Sequence, residues 1–104
     1  MVKYQKFDDL VVKMLSKDPE LLNEYVNLAV NDYMETRNKQ QFLFCLNNIV
    51  KSFGGVGKIA KKTGKTRQAI YHALSPKGNP TLDTFFDIIT NLNFKFHLVR
   101  TCDS

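Results

Sequence analysis

Seven basic side chains, Lys51, Lys58, Lys61, Lys62, Lys65, Arg67 and Lys77, fall within residues 51–82, and no acidic residue interrupts them. Ammonium and guanidinium groups packed into so short a stretch pair naturally with phosphate, and a polyphosphate partner releases counterions as it binds them. A solvated lysine face is the simpler alternative, so the neighbours decide what more the block could do. Thr66, Gln68, Tyr71 and His72 add hydrogen-bonding groups of the kind that read base edges. Arg67 can bond bidentately to guanine and Gln68 to adenine, each good pair giving about 1–3 kcal/mol of discrimination. Lys58, Lys61 and Lys62 suit contacts to a nucleic-acid backbone, which set register without reading sequence. Lys65 and Thr66 stand where a phosphate would meet the start of a helix. For Tyr71 and His72, phosphate contact and base contact are equally compatible with position.

Other chemistries fail on spacing. Gly64-Lys65-Thr66 copies the tail of a nucleotide-binding loop, but the glycine needed five residues earlier is Ile59, and a helix pattern precedes it in place of a strand. His72 and His97 have no ligand neighbours at metal spacing. Asp8-Asp9 has no nucleophile or pocket residues near it to make a catalytic pair. With 104 residues there is room for one domain and none for a catalytic barrel. No enzyme activity, cofactor or metal is expected.

The elements that must position the basic residues follow from periodicity and caps. Asp18-Pro19 reads as an N-cap followed by proline at the first helical position, with Glu20 suited to the positive end of the dipole. Leu22, Tyr25, Val26, Ala29 and Tyr33 then recur at helical spacing over 19–35. Asn38 caps a second helix with the stripe Phe42, Leu46, Ile49, Val50 and Phe53, and Gly54-Gly55 stops it. A short helix over 56–62 leads into a turn at Thr63-Gly64-Lys65. Thr66 caps a further helix, 67–74, with Ile70 and Leu74 facing inward. Residues 75–80, Ser-Pro-Lys-Gly-Asn-Pro, form a loop. Thr81 caps the last helix, whose stripe is Leu82, Phe85, Phe86, Ile89 and Leu92. Residues 94–99 alternate apolar and polar and read as one short strand. The expected architecture is all-α: one domain over 1–104 with five helices and a short C-terminal strand.

A lone strand leaves backbone hydrogen bonds unpaired. Pairing with its symmetry mate would make a homodimer; the alternative is that it runs beside residues 2–7 of its own chain. Phe44 falls on the face opposite the Phe42–Phe53 stripe, beside Asn47, Asn48 and Lys51. It suits a protein partner, or a cover supplied by the N-terminal segment.

Residues 56–75 have the spacing of a helix-turn-helix. Ala60 is small where two helices must approach, Gly64 sits in the turn where a left-handed backbone is needed, and Ile70 holds the second helix against the first. The second, recognition helix of such a unit presents its N-terminal residues to the major groove. Packing and charge have separate causes, yet both signals fall on these residues. By segment the charge is −1 over 1–50, +7 over 51–82 and −1 over 83–104, within a total of +5.

The run from Ile59 to Thr81 resembles the addiction-module antidote family, the HigA-like antitoxins of the lambda-repressor-like (XRE-type) helix-turn-helix class. Ala60, Thr63 and Gly64 match its A-x-x-T-G turn. Arg67, Ile70, Tyr71, Ala73 and Leu74 match its R-x-x-(L/I)-Y-x-A-L helix. Ser75, Pro76, Gly78, Asn79, Pro80 and Thr81 match its S-P-x-G-N-P-T loop. A weaker likeness covers 8–99 and includes the helix start Asp18-Pro19-Glu20. Lys65 departs from the pattern, standing where the family usually carries an apolar residue. The resemblance implies a dimer that binds double-stranded operator DNA of its own operon and neutralises a small RelE/ParE-like toxin encoded alongside. A stand-alone or phage-type repressor, and an interaction module that has lost DNA binding, are the alternatives.

Cys45 and Cys102 lie far apart, outside any C-x-x-C motif, and read as reduced thiols. The N-terminus meets Asp8-Asp9 before an apolar run can develop, and no run approaches the length of a membrane span. A cytoplasmic protein is expected.

Overall fold

Helix capping side chains divide the chain where the sequence places them. The computed structural model describes the backbone of residues 2–102 and the side chains of residues 9–102. Among the described residues there are six helices and no strand: α1 (Val2–Lys17), α2 (Pro19–Thr36), α3 (Lys39–Ser52), α4 (Val56–Thr63), α5 (Arg67–Leu74) and α6 (Leu82–Asn91). Asp18 accepts hydrogen bonds from the amides of Glu20 and Leu21 at 3.1 and 3.2 Å. Asn38, Thr66 and Thr81 accept likewise from the amides of Gln41, Ala69 and Thr84. Each bond satisfies a donor that the first turn of a helix would otherwise leave orphaned. α2 ends on Arg37 in the left-handed region, with its amide donating to the Tyr33 carbonyl and its guanidinium 5.7 Å from the centre of the Tyr33 ring.

α3 is the axis of the fold, packed against α1, α2, α4 and α5. Its buried residues Leu43, Leu46, Ile49 and Val50 meet Val56, Ile59 and Ala60 of α4, Ile70 and Leu74 of α5, and Ile88, Ile89 and Leu92 at the end of the chain's helical part in one apolar cluster. Asn48 lies within this face and is buried, donating from Nδ2 to the Tyr25 hydroxyl at 3.1 Å. Helical spacing alone puts Asn48 on the opposite, exposed face with Phe44. Phe44 does lie at the surface, keeping 45% of its area exposed although α1 packs on α3, and Lys51 of the same face is exposed too.

Three further differences from expectation have physical causes. The helix count is six, because residues 2–17 form α1; its run Leu10-Val11-Val12 obscures helical periodicity, and of the described part only Leu15 is fully buried. A helical 2–17 also rules out an extended partner at 2–7 for the C-terminal segment. Residues 94–99 form no strand, since the described residues offer no second extended segment to pair with. Their alternation serves side-chain packing: Phe94 meets Phe53, and Phe96 meets Phe85 and Phe86 with ring centres 5.8 and 5.1 Å apart. On α6, Ile88 is fully buried where the expected stripe did not include it, and Leu82 projects past the core with 71% of its surface exposed. Leu82, Met34 and Phe96 instead border an open, largely apolar groove between α2, α3 and α6.

Candidate nucleic-acid interface

α4 and α5 are two eight-residue helices joined by the turn Gly64-Lys65-Thr66. Gly64 closes α4 at φ 76°, its amide donating to the Ala60 carbonyl at 3.0 Å. The Thr63 hydroxyl donates back to the Ile59 carbonyl at 2.9 Å and accepts from the Lys65 amide at 3.3 Å, which tightens the corner. Ala60 keeps 6% of its surface and Ile70 none, so the small residue and the apolar anchor sit where the spacing requires. Burying an isoleucine side chain in this way contributes about 1.5–3 kcal/mol.

After α5 the loop presses directly on the helix end. Gly78 is buried, and a Cβ there would collide with the carbonyls of Ala73 and His72. Its amide donates to the Ser75 carbonyl at 2.7 Å, and Asn79 accepts from Lys39 Nζ at 3.3 Å. The Ser-Pro-Lys-Gly-Asn-Pro segment therefore packs closely on the C-terminal end of α5 and reaches the start of α3 through one exposed hydrogen bond.

Seven of the nine residues singled out by sequence fall into two groups, and Lys62 and Thr66 stand outside both. Gln68, Tyr71 and His72 are exposed, and their i, i+3, i+4 spacing puts them on one face of α5. Tyr71 has 61% of its surface open although it is aromatic. Lys58, Lys61, Lys65 and Arg67 border an open cleft of about 640 Å³ beside α4, floored by Gly57 and Gly64. Lys62 is exposed on α4 but does not line the cleft, and Thr66 is exposed with its hydroxyl engaged in capping α5.

Two residues of this site are not among those the sequence pattern singles out. Asp87 of α6 lies with Oδ2 3.4 Å from Lys65 Nζ, so one acid from outside the basic block reaches its edge. Gly57 lies under the Arg67 side chain: a Cβ there would stand 2.5 Å from Nη2, 3.0 Å from Nε and 3.1 Å from Cζ. A signal for it was present. Glycine inside a helical pattern costs roughly 1 kcal/mol relative to alanine, and a close approach by another group is a standard reason for it.

Both thiols are free, Cys45 partly buried and Cys102 exposed. Among the described residues no helix is long and apolar enough to cross a membrane.

The site is therefore a helix, a tight glycine turn and a second helix within an all-α chain, with basic side chains on all three and one acid, Asp87, at their edge. The family model described as "Probable addiction module antidote protein" matches residues 3–100. A protein of Haemophilus influenzae described only as uncharacterized is 31% identical over 78 residues, spanning 75% of this chain and 79% of its own length. No solved structure matches the chain. The chain belongs to the probable addiction module antidote family.

Proposed function

We propose that the protein is a sequence-specific DNA-binding antitoxin that represses its own operon and neutralises a RelE/ParE-like toxin, without enzymatic activity of its own. One observation carries the DNA-binding part: Arg67, the first residue of α5, borders the cleft lined by Lys58, Lys61 and Lys65, and Gln68, Tyr71 and His72 stand exposed on the same helix, so α5 carries exposed base-edge donors and begins among phosphate-binding groups. In this reading α2–α6 are the lambda-repressor-like five-helix unit, with α1 added in front. Lys58, Lys61, Lys62, Lys65 and Thr66 hold the backbone of double-stranded operator DNA. The family supports a toxin partner.

The exposed tail supports a homodimer. Leu98 and Val99 keep 87% and 77% of their surface exposed, next to Phe96, which is anchored on α6. Pairing of residues 94–99 with the same segment of a second copy would satisfy their backbone groups and cover these side chains. The site of action is the cytoplasm, where operator and toxin both reside.

Titrating a duplex carrying the chain's own promoter at several salt concentrations tests the reading. The logarithm of affinity should fall linearly with the logarithm of salt, with a slope near −0.9 for each phosphate contacted. Absence of binding even at low salt would overturn it in favour of an interaction module. Co-expression with the adjacent small open reading frame should rescue growth and co-purify the two chains; failure of both leaves a repressor without a toxin. Sedimentation of Leu98→Asp should show loss of the dimer.

A further inference from the structure

Arg67 opens α5, the position from which a recognition helix commonly reaches a base. Its guanidinium is instead turned back onto α4. Nη2, Nε and Cζ all lie within 3.1 Å of the point where Gly57 would carry a Cβ, so the group passes directly across the glycine. A side chain at position 57 would occupy that space. The same cleft is bordered by Lys58, Lys61 and Lys65. Among the described residues Lys65 alone of these four has a carboxylate partner, Asp87, and Arg67, Lys58 and Lys61 have none. Cations gathered around an open cleft, three of the four without a carboxylate partner, repel one another until an anion joins them. A guanidinium fork with free donors is matched in shape to the oxygens of a phosphate group.

We propose that Arg67 grips one backbone phosphodiester of duplex DNA in the cleft over Gly57, flanked by Lys58 and Lys61, and reads no base; sequence is read by Gln68, Tyr71 and His72. This rests on the DNA-binding reading above and assigns labour within that site. Gly57 is a positioning residue, since it makes the space in which the guanidinium lies.

The experiment compares the full-length protein with Arg67→Ala, Gly57→Ala and the double variant. Each is titrated against the promoter duplex and against an unrelated duplex of equal length, between 50 and 200 mM salt. Gly57→Ala keeps its helical backbone and displaces only the far end of a flexible side chain, so it remains folded, and a thermal melt verifies that. Arg67→Ala should weaken both duplexes by the same factor and make the log–log slope shallower by about 0.9. Its deficit relative to the unaltered protein should therefore shrink about 3.5-fold across that fourfold change in salt. Gly57→Ala should weaken both duplexes equally and in the same direction, with no further loss in the double variant.

An unchanged slope with a collapsed ratio between promoter and unrelated duplex would show that Arg67 reads a base, and overturn the proposal while leaving DNA binding intact. Binding by Gly57→Ala indistinguishable from the unaltered protein would overturn the role of the cleft. Failure of the unaltered protein to bind either duplex would overturn the DNA-binding reading itself, and this proposal with it.

Discussion

Replacing Gly64 by alanine isolates the backbone requirement of the turn between α4 and α5. The residue sits at φ 76°, ψ 6° and closes α4 through its bond to the Ala60 carbonyl. No atom lies within 4 Å of the position a Cβ would take, so the substitution brings no collision and keeps the bond. What remains is the intrinsic cost of a left-handed backbone for an L-residue, roughly 1–2 kcal/mol. Loss of glycine's freedom in the unfolded chain offsets about 0.4–1 kcal/mol of that. The net is a destabilisation of up to about 1.6 kcal/mol. At about 4–8 °C per kcal/mol for a domain of this size, Tm should fall by up to roughly 13 °C. Gly64→Asn should lose less than half as much, because asparagine enters this region more readily. Gly57→Ala, in ordinary helical backbone, should melt at or above the unaltered protein. Circular dichroism melts at one fixed protein concentration measure all three, since a dimer makes Tm concentration-dependent. A loss above about 3 kcal/mol for Gly64→Ala would reveal a contact that open space denies. A melting point above that of the unaltered protein would show that the turn is not left-handed in solution.

Three other perturbations probe different parts of the molecule. Tyr25→Phe removes the hydroxyl that accepts from buried Asn48 Nδ2; urea denaturation should show a loss of about 1–3 kcal/mol, and the double variant with Asn48→Leu should lose less than the two single losses combined. Ile70→Ala empties a fully buried site between α5 and the core, and the same assay should give a loss of about 2–5 kcal/mol. Asp87→Asn should change stability by less than about 0.5 kcal/mol, because its contact with Lys65 is solvent-exposed; under the DNA-binding reading it should tighten binding to any duplex, and more at low salt, as a titration at two ionic strengths would register.

Elements bounded by local chemistry are legible in the amino-acid sequence alone. Asp18, Asn38, Thr66 and Thr81 cap as their types and positions predict, because a capping side chain needs only local backbone to act. α5 begins and ends at the expected residues for the same reason. What depends on distant partners is not legible there. α1 has no capping residue to announce it and buries little of its described surface, so no sharp stripe marks it. Asn48 has the spacing of a surface residue because its partner, the Tyr25 hydroxyl, comes from another helix. Leu82 and Ile88 exchange their expected environments because α6 meets α4 along its later turns, leaving the first turn to border a groove. Residues 94–99 carry a strand pattern, yet a period of two also suits an extended chain that lays Phe94 and Phe96 on neighbouring rings.

The basic block is visible in sequence because charge is additive along a chain, but a run of charges says nothing of where each one points. Two contacts across helices settle that here. Lys65 is drawn toward Asp87, which belongs to the weakly acidic segment that follows the block. Arg67 crosses Gly57, ten residues back, and lies there because that one residue of α4 lacks a Cβ. At physiological salt a charge acts over about 8 Å, so an approaching anion responds to the groups around it more than to the total of +5. Around the cleft those groups are Lys58, Lys61, Lys65 and Arg67, with Asp87 at the edge holding one of the four. The two acidic flanks of the sequence therefore differ in kind: the acids of residues 1–50 make no ion pair with the cleft among the described residues, whereas a single carboxylate on α6 reaches it. Removing that carboxylate should strengthen the cleft's field more than adding a lysine elsewhere on the chain, although both raise the net charge by one.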